Sequence, residues 1–269
     1  MAITREIWIN SILEGFFADD TFGTMMTDHS AFAAGKMVHV PNAGAIAEVK
    51  VNRTSFPATV GSRTDADLSY ELKEFSTDPI RIANAEQYEL SYDKRNSVIG
   101  SSRAALQQAV YSYLLTQIAT GAPASGKVVA ATFTKKALQD VRAVFDKADV
   151  PLNDRAVVLT PEAYIQLLAD LTDSEAIAFT ASANAATGKV GQLYGFTVYE
   201  RSVVDTTASS KVSAVAWQKS CVSRALGQID LFEDQKSATM YGDVISAALR
   251  AGGGIVRSDK KGVAAVTTA

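Results

Sequence analysis

Apolar and polar positions change period several times along this chain. Ala45, Ala47, Val49 and Val51 alternate with Ile46, Glu48, Lys50 and Asn52, and farther on Leu68, Tyr70 and Leu72 alternate with Ser69, Glu71 and Lys73. A repeat of two marks half-buried strands. Residues 53–66 between them hold Thr54, Ser55, Pro57, Gly61, Ser62 and Asp65, all turn formers. The pattern predicts one long hairpin with a polar tip. A lone two-stranded hairpin is marginal in water, and its weak apolar face needs a surface that nothing adjacent in sequence supplies. A neighbouring subunit is the supplier this suggests. Ahead of it, Ile7, Trp8, Ile12, Leu13, Phe16 and Phe17 recur at short helical spacings, interrupted by Gly15, Gly23 and Gly35. An arm this apolar must dock on its own body or on a partner chain, because exposed apolar area costs ~25 cal/mol per Å².

After Pro79, Ile80-Arg81-Ile82 reads as a strand, and a long helix begins between Tyr92 and Ser97. Leu106, Val110, Tyr113, Leu114, Gln117 and Ile118 supply its stripe, and Gly121 and Pro123 its stop. Its length suits a structural spine. A second helix follows Thr134 as N-cap, with Leu138, Val141, Val144, Phe145 and Ala148 on one face and Pro151 as its end. Residues 155–159 form a wholly apolar run after Arg155, typical of a buried central strand. Thr160-Pro161-Glu162 opens a third helix whose apolar face is Tyr164, Ile165, Leu167, Leu168 and Leu171. Residues 176–188 read as a loop of small residues. Strands are expected at 196–199, 212–217, 229–232, 244–249, 255–256 and 263–266. With neither an internal repeat nor a Pro/Ser linker, the two halves are expected to be interwoven.

Composition narrows the function. The chain has 269 residues, 47% hydrophobic and 20% charged, enough for a sizeable core and too apolar for disorder. Its formal net charge of -3 argues against a strongly basic nucleic-acid binder. Cys221 is the sole cysteine, so no internal disulfide or cysteine-based zinc knuckle can form. No run approaches the ~20 apolar residues of a spanning helix, and no signal segment is visible at Met1. The expectation is a soluble protein of a reducing cytoplasm.

Candidate chemistry is sparse. Gly252-Gly253-Gly254 lacks the Gly-Lys-Ser/Thr ending of a phosphate loop and reads as a bend between strands. Gly188, Gly191 and Gly195 fit a turn before a strand better than a dinucleotide fingerprint. His29 and His39 could meet Asp19, Asp20 or Asp28, but without metal-ligand spacing. Cys221 has no nucleophile signature around it, and Asp19-Asp20 and Glu233-Asp234 read as solvated neighbours. Asn52-Arg53-Thr54 matches a glycosylation acceptor, without meaning in a cytoplasmic protein. Arg53, Arg63, Arg81, Arg95 and Arg103 are either ordinary solvated charge, worth ~0–1 kcal/mol per pair, or inter-subunit partners of Asp65, Asp67, Glu71 and Glu74. No catalytic, cofactor-binding or metal site is expected, no cofactor, and no enzyme activity.

The order of elements is distinctive: arm, extended hairpin, spine helix, α/β unit and β-rich return. Together with Val157-Val158-Leu159-Thr160-Pro161-Glu162-Ala163-Tyr164, Gly191-Gln192-Leu193-Tyr194-Gly195-Phe196-Thr197-Val198-Tyr199, Ala214-Val215-Ala216-Trp217 and Asp243-Val244-Ile245, it resembles the major capsid proteins of tailed phages. The resemblance covers nearly the whole chain and implies an α+β, Hong Kong 97-like fold. It implies an N-terminal arm at 1–38, an extended loop at 39–78, a peripheral domain at 79–127 and 221–269 built on the spine helix, and an axial domain at 128–220. It implies a structural role: pentamers and hexamers closing into an icosahedral shell around a double-stranded DNA phage genome, in the virion, after assembly in the host cytoplasm. A separate scaffolding protein, a portal and decoration proteins are the implied partners, with no membrane and no sequence-specific DNA contact. Some relatives join a Lys to an Asn covalently; Lys50 and Lys73 lie in the loop, but no motif identifies a pair. An encapsulin-like compartment shell and a soluble α/β enzyme or ligand-binding protein are the alternatives. Deleting 45–75 is expected to leave the body folded and block shell formation.

Overall fold

A computed structural model describes residues 20–33, 35–44, 49–54, 56–57, 60–83, 94–202, 204, 212–237 and 239–268. Two sheets share one spine. The first has the order β1-β11-β12-β4, with β5 also on β12. Its members are β1 (Thr27–Asp28), β4 (Lys73–Ser76), β5 (Ile80–Ala83), β11 (Val222–Ser237) and β12 (Gly242–Ile255). The second has the order β6-β13-β10-β7-β9-β8, built from β6 (Lys127–Ala130), β7 (Arg155–Leu159), β8 (Lys189–Leu193), β9 (Phe196–Glu200), β10 (Val212–Gln218) and β13 (Val263–Thr268). Residues 221–269 therefore divide: β11 and β12 serve the first sheet, and β13 sits between β6 and β10 in the second. A separate two-stranded ladder joins β2 (Met37–Asn42) to β3 (Ala66–Glu71).

The spine is helix α1 (Lys94–Gly121). Leu106, Val110, Leu114 and Ile118 recur at the helical repeat and are all buried. They meet Leu249 and Ala251 of the first sheet and Val158, Val215 and Trp217 of the second in one core. The opposite face of the second sheet, Val157, Leu159, Val198, Ala214, Ala216 and Val266, packs on α2 (Lys135–Lys147), α3 (Pro161–Asp170) and α4 (Asp173–Thr180). With helices on both sides, every residue of β7 is buried, as an unbroken apolar strand requires.

Several expectations need correcting. The hairpin's first strand is Met37–Asn42 rather than 45–51: Val49 and Val51 lie outside any strand, and 45–48 fall outside the described residues. Val38 and Val40 do alternate with His39 and Pro41, but Pro41 removes a donor; the strand is tolerated because a two-stranded ladder consists of edges. Helix α2 ends at Lys147, before Pro151, where the N–H groups of Ala148 and Val150 both turn back to Phe145 O at 3.1 Å and Asp149 takes φ 55°. Thr134 makes no side-chain cap; the carboxylate of Asp170 receives the Lys135 N–H instead, at 2.8 Å. Ile165 points outward, 66% exposed. Residues 176–180 of the expected loop belong to helix α4, Asp173–Thr180.

The tail is a pair of long strands rather than short pieces, and Gly252–Gly254 is continuous β12 rather than a bend. A Cβ at Gly252 would stand 2.5 Å from Glu71 O, and at Gly253 2.3 Å from Ser223 O and 2.9 Å from Leu114 Cδ2. The triplet lets neighbouring strands and the spine approach, which is the other use of strand glycine.

Candidate functional site

The titratable candidates are absorbed into structure. His29 Nδ1 lies 3.2 Å from the Tyr70 hydroxyl, with the two rings stacked. His39 meets Asp67 at 2.6 Å on the exposed face of the ladder. The Cys221 thiol is buried, and burial pushes its pKa up, the reverse of a nucleophile's need. Asp28 is held below the usual carboxylate range by hydrogen bonds from the Ser30 side chain and N–H. Glu233 takes a bidentate pair from Arg95, at 2.8 and 2.6 Å, which keeps its carboxyl low. Asp19 lies outside the described residues. Among the described residues no three His, Cys, Asp or Glu side chains are grouped to hold a metal. Of the other arginines, Arg63 pairs with Asp65 at 2.6 Å, and Arg81 and Arg103 are exposed. Glu71 pairs with Lys36 at 3.7 Å and Glu74 with Arg250 at 3.9 Å. Lys73 lies 4.9 Å over the Tyr113 ring.

What the fold does present is apolar surface on projections. The β2–β3 ladder is rooted on the body: Val38, Leu72, Ala33 and Ala225 form a small buried cluster, supported by Val40 and Tyr70. Asn42 Oδ1 also accepts the Ser258 N–H at 3.2 Å. Beyond Asn42 the chain leaves the ladder and returns at Ala66. In that excursion Val49 is 87%, Val51 85%, Phe56 76% and Val60 94% exposed. Four apolar side chains this bare on one loop make that loop a candidate binding element. Further bare positions are Val129, Ile165 and Ile177 around the second sheet, and Phe232, Met240 and Tyr241 toward the far end of β11–β12. A groove of about 440 Å³ runs over the first sheet between Glu74, Asp230, Phe232, Ala248 and Arg250.

Three buried or half-buried arginines carry structure that the sequence does not flag. Arg155 donates to Pro151 O at 2.9 Å and Val150 O at 2.6 Å, pairs with Asp146 at 2.8 Å, and faces the rings of Phe145 and Phe196. Arg224 meets the Tyr111 hydroxyl and, at 3.7 Å, Asp28. Arg201 follows β9 directly. Its buried guanidinium pairs with Asp20 and donates to Gln108 O and Ser112 Oγ of the spine, both at 3.0 Å. The one visible signal was an arginine abutting a wholly apolar strand. The partners lie far away in sequence, so composition and spacing cannot name them.

Residues 20–33, the described part of the expected arm, lie on the body. Phe22 and Met26 are buried in the spine core, and Trp217 Nε1 donates to Met25 O at 2.7 Å. Residues 1–19, with Ile7, Trp8, Ile12, Leu13, Phe16 and Phe17, are outside the described part.

No family model and no curated protein matches the chain. Solved structures do. A structure from Mycobacterium phage Che8 superposes with TM-score 0.74 at 15% identity, covering 98% of this chain and 97% of that one. The capsid structure of cyanophage P-SCSP1u gives 0.73 at 14% identity, over 99% and 93%. The capsid of a native GTA particle gives 0.71 at 12% identity, over 99% and 96%. The chain thus has the mixed α+β, Hong Kong 97-like fold of phage capsid structures along nearly its whole length.

Proposed function

We propose that this chain is a major capsid protein, a subunit that assembles into an icosahedral shell enclosing the double-stranded DNA of a phage. The observation that carries the reading is the near-complete match in fold to capsid structures in a chain whose hairpin excursion holds bare Val49, Val51, Phe56 and Val60. Burying such side chains gains ~25 cal/mol per Å², and a repeated heterologous contact closes into rings or shells when its rotation closes. In this reading residues 1–38 are the arm and 39–78 the extended loop reaching a neighbour. Residues 79–127 and 221–269 form the peripheral domain around α1, with β13 lent to the sheet of the axial domain, 128–220. Pentamers and hexamers form the shell in the host cytoplasm, and the product is the virion capsid. A separate scaffolding protein, a portal and decoration proteins complete the list of partners.

The test is sedimentation and negative-stain microscopy of the purified protein, followed by analysis of what the particles hold. Closed shells or rings, and nuclease-protected DNA in particles from infected cells, are the expected results. A monodisperse monomer that never assembles would overturn the proposal. Particles filled with one cargo enzyme instead of DNA would replace the phage role with a compartment shell.

A further inference from the structure

We propose that the Asp20–Arg201 ion pair is a latch that holds residues 20–28 in a berth between the two sheets, and that its release undocks this segment as a unit, the short edge strand β1 included, while the remaining strands of both sheets stay folded. Arg201 is anchored at its backbone, where its N–H donates to Leu159 O at 2.9 Å at the end of β7. From there the guanidinium reaches across to α1, bonding Gln108 O and Ser112 Oγ at 3.0 Å, and pairs with Asp20 on the arm side. One side chain therefore ties the axial sheet, the spine and the arm.

The exposures are asymmetric. The Arg201 side chain is 1% exposed, whereas that of Asp20 is 19% exposed and stands at the rim. Buried arginine keeps its charge and needs a partner, so the rim carboxylate is the part that can be exchanged. Downstream of it the berth is lined by separable contacts. Phe22 lies under the guanidinium at 5.5 Å and edge-on to Tyr111 and Trp217. Thr27 Oγ1 donates to Lys219 O at 2.9 Å, and the His29 N–H to Arg224 O at 2.8 Å. Met26 is buried beside Phe22 and Met25 O accepts from Trp217 Nε1, but the strand pairing of the segment is short: β1 is two residues long. Elements held this way open locally before a sheet does.

Release would lengthen the arm. Residues 20–28 are nine positions, and fully extended they add roughly 30 Å of reach at ~3.3–3.6 Å per residue. What that reach could meet rests on the shell reading, whereas the latch does not.

The test uses full-length protein with Trp8→Phe, leaving Trp217 as the single tryptophan. Asp20→Asn should speed protease cleavage within 20–33 by roughly ten- to a hundredfold, the change expected from losing one charge-assisted hydrogen bond. It should shift Trp217 emission to the red, because the Met25 and Phe22 contacts go with the segment, and leave the far-ultraviolet spectrum unchanged. Asp20→Glu should restore slow cleavage. Unchanged cleavage and emission in Asp20→Asn would overturn the proposal. Should that variant fail to fold, hydrogen exchange of the parent decides. The amides of Gly23, Met26 and His29 are expected to exchange well before those of β7 and β10, and equal protection would overturn the latch. Both readouts are independent of assembly, so a monomeric protein could still carry the latch.

Discussion

Gly253 shows how one residue links the two sheets' common support. Its missing Cβ leaves room for Ser223 O and Leu114 Cδ2, at 2.3 and 2.9 Å from where that atom would be. Gly253→Ala must push strand and spine apart, and overpacking of this kind costs about 1–3 kcal/mol. Thermal unfolding is expected to show a clearly lowered midpoint, and an unchanged midpoint would mean the spine yields freely there. Glu175 is the second informative residue. Its carboxylate accepts from the Thr172 N–H at 3.0 Å, the Thr172 hydroxyl at 2.9 Å and Lys135 Nζ at 3.1 Å. The backbone hydrogen bond from Thr172 leads in lowering its pKa from 4.5 to about 2. A carboxyl depressed on folding stabilises the native state above its ordinary pKa and loses that effect as pH falls from about 4.5 through about 2. The stability advantage of the parent over Glu175→Gln, measured by thermal unfolding at a series of pH values, should shrink across that window and be absent below it. A difference constant with pH would remove the carboxylate from the account.

At the scale of elements, the hairpin excursion makes the sharpest prediction. Deleting 45–75 would also remove all of β3, most of β4, which pairs with β12, and the buried Leu72. The structure moves the cut: replacing residues 45–64 by a short Gly-Ser link should leave circular dichroism and unfolding nearly unchanged and abolish particles. Normal particles from that variant would count against the role of the excursion. The elements that could be read from sequence were those with a strong private pattern. The α1 stripe, the apolar run of β7 and the Thr160-Pro161 start of α3 all stand where the pattern put them, and Thr160 Oγ1 does accept the Ala163 N–H at 3.3 Å. Elements held by distant partners were not legible. Helix α4 has small residues and no apolar stripe, so it read as a loop, although Thr172 and Glu175 spell the start signal of a helix. The alternation after Gly44 predicted a strand, but the ladder partner β3 is taken by residues 37–42. The sequence does not single out the buried arginines, because their acceptors, such as Gln108 O for Arg201, lie on other elements.

For the whole molecule, the core and the exposed surface tell different stories. The spine core closes within one chain, while bare apolar side chains stand on the excursion at Val49, Val51, Phe56 and Val60, on helices α3 and α4 at Ile165 and Ile177, and at Phe32, Leu152, Phe232, Met240 and Tyr241. Changing Val49, Val51, Phe56 and Val60 together to Ser should therefore alter the monomer's stability little, by no more than about 0.5 kcal/mol per site, as expected for exposed positions. The same change should raise the protein concentration needed for assembly, read by light scattering. An unaltered assembly threshold would place the adhesive surface elsewhere. The sheet order carries a further consequence, for synthesis. Residues 127–130 find their neighbour in a strand at 263–268, and 73–83 find theirs at 242–251. With translation at roughly 5–20 residues per second, β6 waits about 7–28 s on the ribosome before β13 exists. Neither sheet can complete itself while the chain is emerging. The nascent chain can pair β2 with β3 and β7 with β9 and β8 early, but the edges that await β12 and β13 stay open until late.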